Sequence, residues 1–341
     1  MNKTIFITGV NGQDGSLLAD FFVKSGDNVI GTFRRGTQPK FWRLEELNIV
    51  NKIKCIGLDL GDSLSLLKEL DDCNPDQIYH LAGDSFVADS YKNPKSSLEN
   101  SVEHTINLLE AMRYRKSKSW CFIPSSSEIF AGNKKDLLTE DDYPISMSPY
   151  GLSKLVNLQI SEMYRKIYNL RIASGILFNH ESALRSRSFV TRKITYNLAK
   201  IKISSGPPML LGNLNTSRDW SSAEDFVKGM AELGEKNKVG SFIFSSNKLT
   251  TLREFIGLAC EAADFDVFFE GNGLQEKVIH KQTGNILCKV SENYFRISDT
   301  KGKIGSNKKL KSEINWEPRY KIKELVSKMV KTDIERRLNE N

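Results

Sequence analysis

A chain of 341 residues is long enough for one large domain or two, with a sizeable core. Its 49 lysines and arginines against 42 aspartates and glutamates leave a formal charge of +7, which suits a nucleic acid or a small phosphate-bearing ligand. The distribution favours the second, because much of the excess falls in Lys301 to Lys311, a stretch without interleaved aromatics that reads as a solvated surface loop.

No run approaches the roughly 20 apolar residues that span a bilayer, and no basic segment leads an apolar one at the N-terminus, so neither membrane nor nucleic acid is expected as a partner and the cytoplasm is the default location. The five cysteines (Cys55, Cys73, Cys121, Cys260, Cys288) are scattered and read as free thiols, and the four histidines form no ligand cluster, so no metal is expected.

In chain order the first half alternates β-rich runs with amphipathic stretches. Strands are expected at Thr4 to Thr8, Asn28 to Phe33, Ile53 to Gly57, Gln77 to Leu81, Ser119 to Pro124 and Arg171 to Leu177. Helices are expected at Ser16 to Lys24, Ser63 to Leu70, Ser97 to Tyr114 and Pro149 to Tyr168. This alternation predicts an α/β fold, a Rossmann-type doubly wound parallel sheet with a smaller, irregular C-terminal substrate-binding domain. Residues 1–178 would form the cofactor domain, with a returning segment at about 216–247 holding a helix, Ser221 to Glu235, and a strand, Gly240 to Ser245. Residues 179–215 and 248–341, including a last helix Ile322 to Arg337, would form the other domain.

Directly after the first strand comes Gly9-Val10-Asn11-Gly12-Gln13-Asp14-Gly15. Glycines three apart between a strand and a helix permit a tight turn and let backbone N–H groups approach a pyrophosphate, the behaviour of a dinucleotide fingerprint. At the tip of the second strand, an NAD enzyme carries a carboxylate for the ribose 2′-hydroxyl; here stand Arg34 and Arg35, whose guanidiniums suit a 2′-phosphate, so NADP is expected. Asp59 and Leu60, ending the third strand, are placed to meet the adenine, while Leu81, Ala82 and Gly83, ending the fourth, would line the cofactor's other side.

Tyr150 and Lys154 lie four apart on one helical face. A free phenol has a pKa near about 10, and a neighbouring ammonium and the positive nicotinamide favour phenolate, making Tyr150 a usable base. The preceding strand end carries Ser126, able to hydrogen-bond a reacting hydroxyl, and Glu128, whose carboxyl suits proton abstraction from carbon or protonation of a leaving hydroxyl.

These residues resemble the extended short-chain dehydrogenase/reductase family, and the match narrows to GDP-mannose 4,6-dehydratases. Nearly end to end, it is carried by Thr8 to Ser16 (TGVNGQDGS), Ser125 to Glu128 (SSSE), Ser148 to Lys154 (SPYGLSK), Leu177 to Ser182 (LFNHES), Phe189 to Ile194 (FVTRKI), Leu211 to Leu214 (LGNL) and Arg218 to Trp220 (RDW). The resemblance implies a tightly held NADP contacted by Gly9, Asn11, Gly12, Gln13, Asp14, Gly15 and His180, the last otherwise a structural hydrogen-bonder. Tyr150 would take the 4-hydroxyl proton as the C4 hydride passes to NADP, with Lys154 and Ser126 in support; Glu128 would then remove the C5 proton and help expel the C6 hydroxyl as water. It also implies a GDP-sugar substrate met by Ser85, Ser126, Glu128, Asn179, Lys193, Leu211, Gly212, Arg218 and Arg296, and a homodimer or homotetramer.

The chain departs from the family at several places. Ser126 replaces a usual threonine, Leu81-Ala82-Gly83-Asp84-Ser85 replaces Leu-Ala-Ala-Gln-Ser, the usual proline and first arginine are missing around Ser182-Ala183-Leu184-Arg185, Met147 replaces an arginine, and Arg296 to Asp299 departs from R-P-x-E. These differences bear on the sugar, leaving GDP-mannose, a GDP-heptose and an N-acetylated GDP-hexose open. A rival reading is a GDP-sugar 4-oxidoreductase using the same Ser126, Tyr150 and Lys154; another is a non-catalytic sensor, against which the intact Tyr150 and Lys154 stand.

Overall fold

The computed structural model describes residues 2–36, 38–295 and 302–340. The first elements are β1 (Thr4–Thr8), α1 (Gln13–Lys24), β2 (Asn28–Arg34), α2 (Trp42–Glu46), β3 (Lys54–Leu58), α3 (Ser63–Cys73) and β4 (Gln77–His80). There follow α4 (Val87–Lys92), α5 (Pro94–Tyr114), β5 (Trp120–Ser126), the short β6 (Leu137–Leu138), α6 (Pro149–Tyr168) and β7 (Arg171–Leu177). Next come β8 (Asn179–Glu181), α7 (Val190–Ser204), β9 (Met209–Leu211), β10 (Ser217–Arg218), β11 (Trp220–Ser222), α8 (Ala223–Glu235) and β12 (Gly240–Phe244). Last are β13 (Thr250–Thr251), α9 (Leu252–Ala262), β14 (Val267–Glu270), β15 (Lys277–His280), β16 (Ile286–Val290), α10 (Lys308–Ile314) and α11 (Ile322–Glu340).

The chain divides into two compact units: Met1–Phe178, Ala223–Phe244 and Gly305–Glu317 form one, and Asn179–Ser222, Ser245–Ile304 and Pro318–Asn341 the other. The first unit holds a seven-stranded parallel sheet in the order β12-β7-β5-β4-β1-β2-β3. Strand order reverses between β1 and β4, and at such a switch point the carboxyl ends of the strands open a crevice. Helices cover the sheet, so β4, Gln-Ile-Tyr-His, is buried at every residue. Local chemistry sets the helix ends: the Ser148 hydroxyl accepts the Gly151 amide (3.0 Å) and Pro149 opens α6, while Asn169 leaves it in the left-handed region at φ 53°.

Several expectations need correction. Helix α1 begins at Gln13, three residues before the expected Ser16, because Gly12 serves as an extended N-cap. Strand β5 runs through Pro124 to Ser126, since β7 pairs with it past the end of β4. The stretch expected to be a solvated loop runs into α10, with Leu310 and Ile314 buried, and the segment Gly305–Glu317 closes the first unit. There Trp316 packs on Phe226 and Phe244 at centroid distances of 5.9 and 5.5 Å, and its indole donates to the Asp225 carbonyl (2.9 Å).

The second unit is more regular than expected. A four-stranded sheet, β14-β15-β16-β9, shares a core with α7, α9 and α11 built from Ile194, Leu198, Phe255, Ile256, Val326 and Met329. Inside lies a polar knot. Arg192, 2% exposed, pairs with Asp333, 1% exposed, and donates to the Ala183 carbonyl at 3.0 Å. Thr195 donates to the same carboxylate at 2.7 Å, and Arg336 bridges Asp333 (3.1 Å) and the Ala183 carbonyl (2.8 Å). Among the described residues no helix is long and apolar enough to cross a membrane.

Candidate active site

The glycine turn is fixed from both sides. Gly9 takes φ +72°, and the amides of Gly9 and Val10 donate to the Thr32 carbonyl on β2 at 2.9 and 3.0 Å. A Cβ at Gly9 would lie 2.8 Å from the Ala82 Cα, and one at Gly15 would lie 2.3 Å from the Gly9 oxygen, so neither position admits a side chain. Gly12 caps α1 without a side chain of its own, so no N-cap side chain covers the positive helix end. Arg43 holds the turn from outside by donating to the Asn11 carbonyl (2.9 Å), and Gln13 donates to Asp14 (3.0 Å).

Thr8, the last residue of β1, sits 3.2 Å from Nδ1 of His80 and accepts the Ala82 amide at 3.0 Å. This link sets the path of Leu81, Ala82 and Gly83 beside the turn. Burial first, and the Lys154 charge second, push His80 down to about 3, so it is neutral. Around the rim, Arg34 and Arg35 are exposed at the end of β2. Asp59 accepts the Gly61 amide (3.0 Å), and buried Leu60 offers its carbonyl to Asn107 (2.9 Å).

Ser126 and Glu128 stand at the end of β5 and on the 3-10 turn that follows it, and Tyr150 and Lys154 lie in the first turns of α6. The Ser126 hydroxyl caps the short 3-10 turn Ser127–Phe130 by accepting the Glu128 amide at 3.3 Å. Ser125 donates to the Lys154 carbonyl (3.0 Å), tying strand to helix. A Cβ on Gly151 would come within 2.7 Å of the Glu128 backbone oxygen, so a glycine there lets the start of α6 press against the Glu128 turn. The Lys154 ammonium lies 5.7 Å from the centre of the Tyr150 ring. Burial pushes Lys154 down to about 8, opposed by the charge of Asp84, so the ammonium persists at neutral pH.

The second unit gathers a different set. Lys193 lies 3.9 Å from the centre of the Tyr294 ring and donates to the Leu210 carbonyl (2.7 Å). Gly212, beyond buried Leu211, passes so close to the Tyr294 carbonyl that a Cβ would lie 2.3 Å from it. Asn179 and His180 pair in register with Trp220 and Ser221, and Arg218, opposite Thr250, donates to the Ser217 carbonyl (2.8 Å). Ser85 is exposed in the loop after β4, and Arg296 lies outside the described residues. No group of three metal-ligating side chains occurs among the described residues.

Sequence reasoning missed Thr8, His80, Arg43 and Gly151 as supports of the site, and Asp333 as the centre of the polar knot. One signal was available: Asp333 falls in helical register with buried Leu325, Val326, Met329 and Val330, where a lone carboxylate needs a buried partner.

Residues 6–329 match the family model described as GDP-mannose 4,6 dehydratase. GDP-mannose 4,6 dehydratase 2 of Caenorhabditis elegans is 34% identical over 97% of this chain and 89% of its own length. GDP-mannose 4,6-dehydratase sdnI of Sordaria araneosa is 32% identical over 98% of this chain, which spans only 61% of that relative. Among solved structures, RMD from Pseudomonas aeruginosa, determined with NADPH, superposes with a TM-score of 0.76 at 19% identity, over 98% of this chain and 100% of that one.

Proposed function

The chain belongs to the GDP-mannose 4,6-dehydratase family and is a GDP-sugar 4,6-dehydratase, and from that premise we propose how its residues carry the reaction. The cradle that a Cβ at Gly9 or Gly15 would fill, at an open helix N-terminus, fits the diphosphate of a nicotinamide dinucleotide. Arg34 and Arg35 support NADP, as their guanidiniums complement a 2′-phosphate. When bound, the dinucleotide supplies a reversible two-electron carrier for the hydrogen of sugar C4.

Tyr150 removes the proton of the 4-hydroxyl, and the Lys154 ammonium one helical turn away stabilises the phenolate that does so. Ser126 donates a hydrogen bond to the reacting oxygen. Once C4 is a ketone, the C5 hydrogen is acidic; Glu128 takes that proton and delivers it to the C6 hydroxyl, which leaves as water. Return of the hydride to C6 would complete the 4-keto-6-deoxy sugar, with C5 reprotonated through Glu128 by a proton equivalent to the one Tyr150 took from the 4-hydroxyl. The observation that supports this reading is the close approach of Gly151, the residue after Tyr150, to the Glu128 backbone carbonyl, which holds the start of α6 against the turn that carries the second proton-transfer group. In the other unit we assign Lys193, Asn179 and Arg218 to the nucleotide diphosphate, supported by their two cations and one amide. Leu152, Met163 and Ile167, exposed on α6, support association into a homodimer or homotetramer, which light scattering would measure. The five unpaired cysteines support a reducing compartment such as the cytoplasm.

The test uses GDP-mannose deuterated at C4, with GDP-heptose and N-acetylated GDP-hexoses alongside. Loss of one water with deuterium recovered at C6 and no net NADPH consumed is expected. A two-hydrogen change in mass with stoichiometric cofactor turnover would instead identify a 4-oxidoreductase.

A further inference from the structure

We propose that Asp84 is a positioning residue for this reaction, acting from the loop after β4 as the counter-charge that keeps Lys154 protonated beside Tyr150. The inference rests on the role given to Lys154 above.

Lys154 is 8% exposed, and its ammonium joins no ion pair among the described residues. A buried ammonium without a partner drifts toward its neutral form. The β4 loop brings an opposite charge near it. Gly83 adopts φ +150°, and a Cβ there would lie 3.8 Å from the Lys154 nitrogen, so the backbone passes close by the ammonium and the next residue is Asp84. Asp84 is exposed, so its charge carries little desolvation cost, while its field reaches a group that solvent screens poorly.

The other titratable groups near Lys154 do not provide this counter-charge. His80 on β4 is neutral, and His104 on α5 is pushed down by burial, although Asp59, Glu103 and Asp84 oppose that. Tyr150 shares helix α6, and Glu128 lies on the turn packed against the start of that helix. Asp84 is the acidic neighbour that raises Lys154 against its burial. The family resemblance expects glutamine at this position, so the device belongs to this chain.

The sign follows directly. Lys154 loses its charge as pH rises through its pKa, and without Asp84 that loss comes at lower pH. The experiment measures acetylation of each lysine by acetic anhydride against pH in the full chain, read by mass spectrometry, because only the neutral amine reacts. The Lys154 midpoint, near 8 in the unaltered protein, should fall by about one unit in Asp84→Asn. Asp84→Glu should restore it, and about 1 M salt should move the unaltered protein toward the variant. The alkaline limb of kcat should shift in the same direction. An unmoved midpoint in Asp84→Asn, indifference of the unaltered protein to salt, or an equal shift in the surface control Asp89→Asn would overturn the proposal. A shifted midpoint with no GDP-sugar dehydrated would uphold Asp84 and remove the dehydratase reading instead.

Discussion

In the unit built on the seven-stranded sheet, Ser126, Glu128, Tyr150 and Lys154 are held by a strand end, a 3-10 turn capped by the Ser126 hydroxyl and a helix capped by Ser148, all of them short-range devices. In the other unit, Lys193 follows directly on Arg192, whose side chain is locked by a buried carboxylate from a helix about 140 positions along the chain. Ser126 aside, the first arrangement separates chemistry from stability: a reacting side chain such as Tyr150 can change while the frame stands. The second joins them, because the residue beside a candidate ligand-binding cation is itself part of the frame.

The largest expected effect sharpens that contrast. Tyr150→Phe should lower kcat by roughly 10² to 10⁴ while leaving the urea midpoint unchanged; a matching loss of stability would show that the first unit too depends on its reacting side chain. Asp333→Ala should do the reverse, costing roughly 3–5 kcal/mol in urea unfolding because Arg192 is left buried and uncompensated. Replacing both, as Arg192→Met with Asp333→Leu, should recover most of that, and failure to recover would place the damage elsewhere than the unpaired charge. Gly15→Ala should weaken NADP binding by roughly ten- to a hundredfold by calorimetry, since the new Cβ would meet the Gly9 oxygen at 2.3 Å.

A smaller effect concerns His80. Its folded pKa, about 3, lies below the ordinary 6.5, so the unfolded chain binds the proton first and stability declines as pH falls below about 6.5. Over the 1.5 units down to pH 5 this is about 2 kcal/mol, and His80→Gln should lack that part of the acid slope in unfolding measured between pH 7 and 5. The smallest change is expected at the rim. Arg34→Ser should reduce the preference for NADP over NAD by about tenfold, as one charge-assisted contact is worth roughly 1.5 kcal/mol; an unchanged ratio would assign the preference to Arg35 or elsewhere.

The sites were unequally legible. Gly9, Gly12 and Gly15 stood out because a strand, a turn without room for side chains and a helix leave a local signature. Tyr150 and Lys154 stood out because four residues bring side chains to one helical face. The start of α1 was misplaced because a glycine N-cap carries no capping side chain to read, and the end of β5 because a proline normally marks a stop that β7 overrides. The lysines near Lys308 masked a helix whose buried positions, Leu310 and Ile314, are too few to show a period.

Residue order alone determined the parallel sheet, the glycine cradle and the Tyr150–Lys154 face, because backbone period and local sterics act over a few residues. Tertiary structure alone decided the Thr8, His80 and Ala82 link, the contact of Gly151 with Glu128, the return of Trp316 and the pairing of Arg192 with Asp333. Those contacts join distant positions, and a hydrogen bond or ion pair depends on angstrom-scale geometry that no pattern of residue types carries.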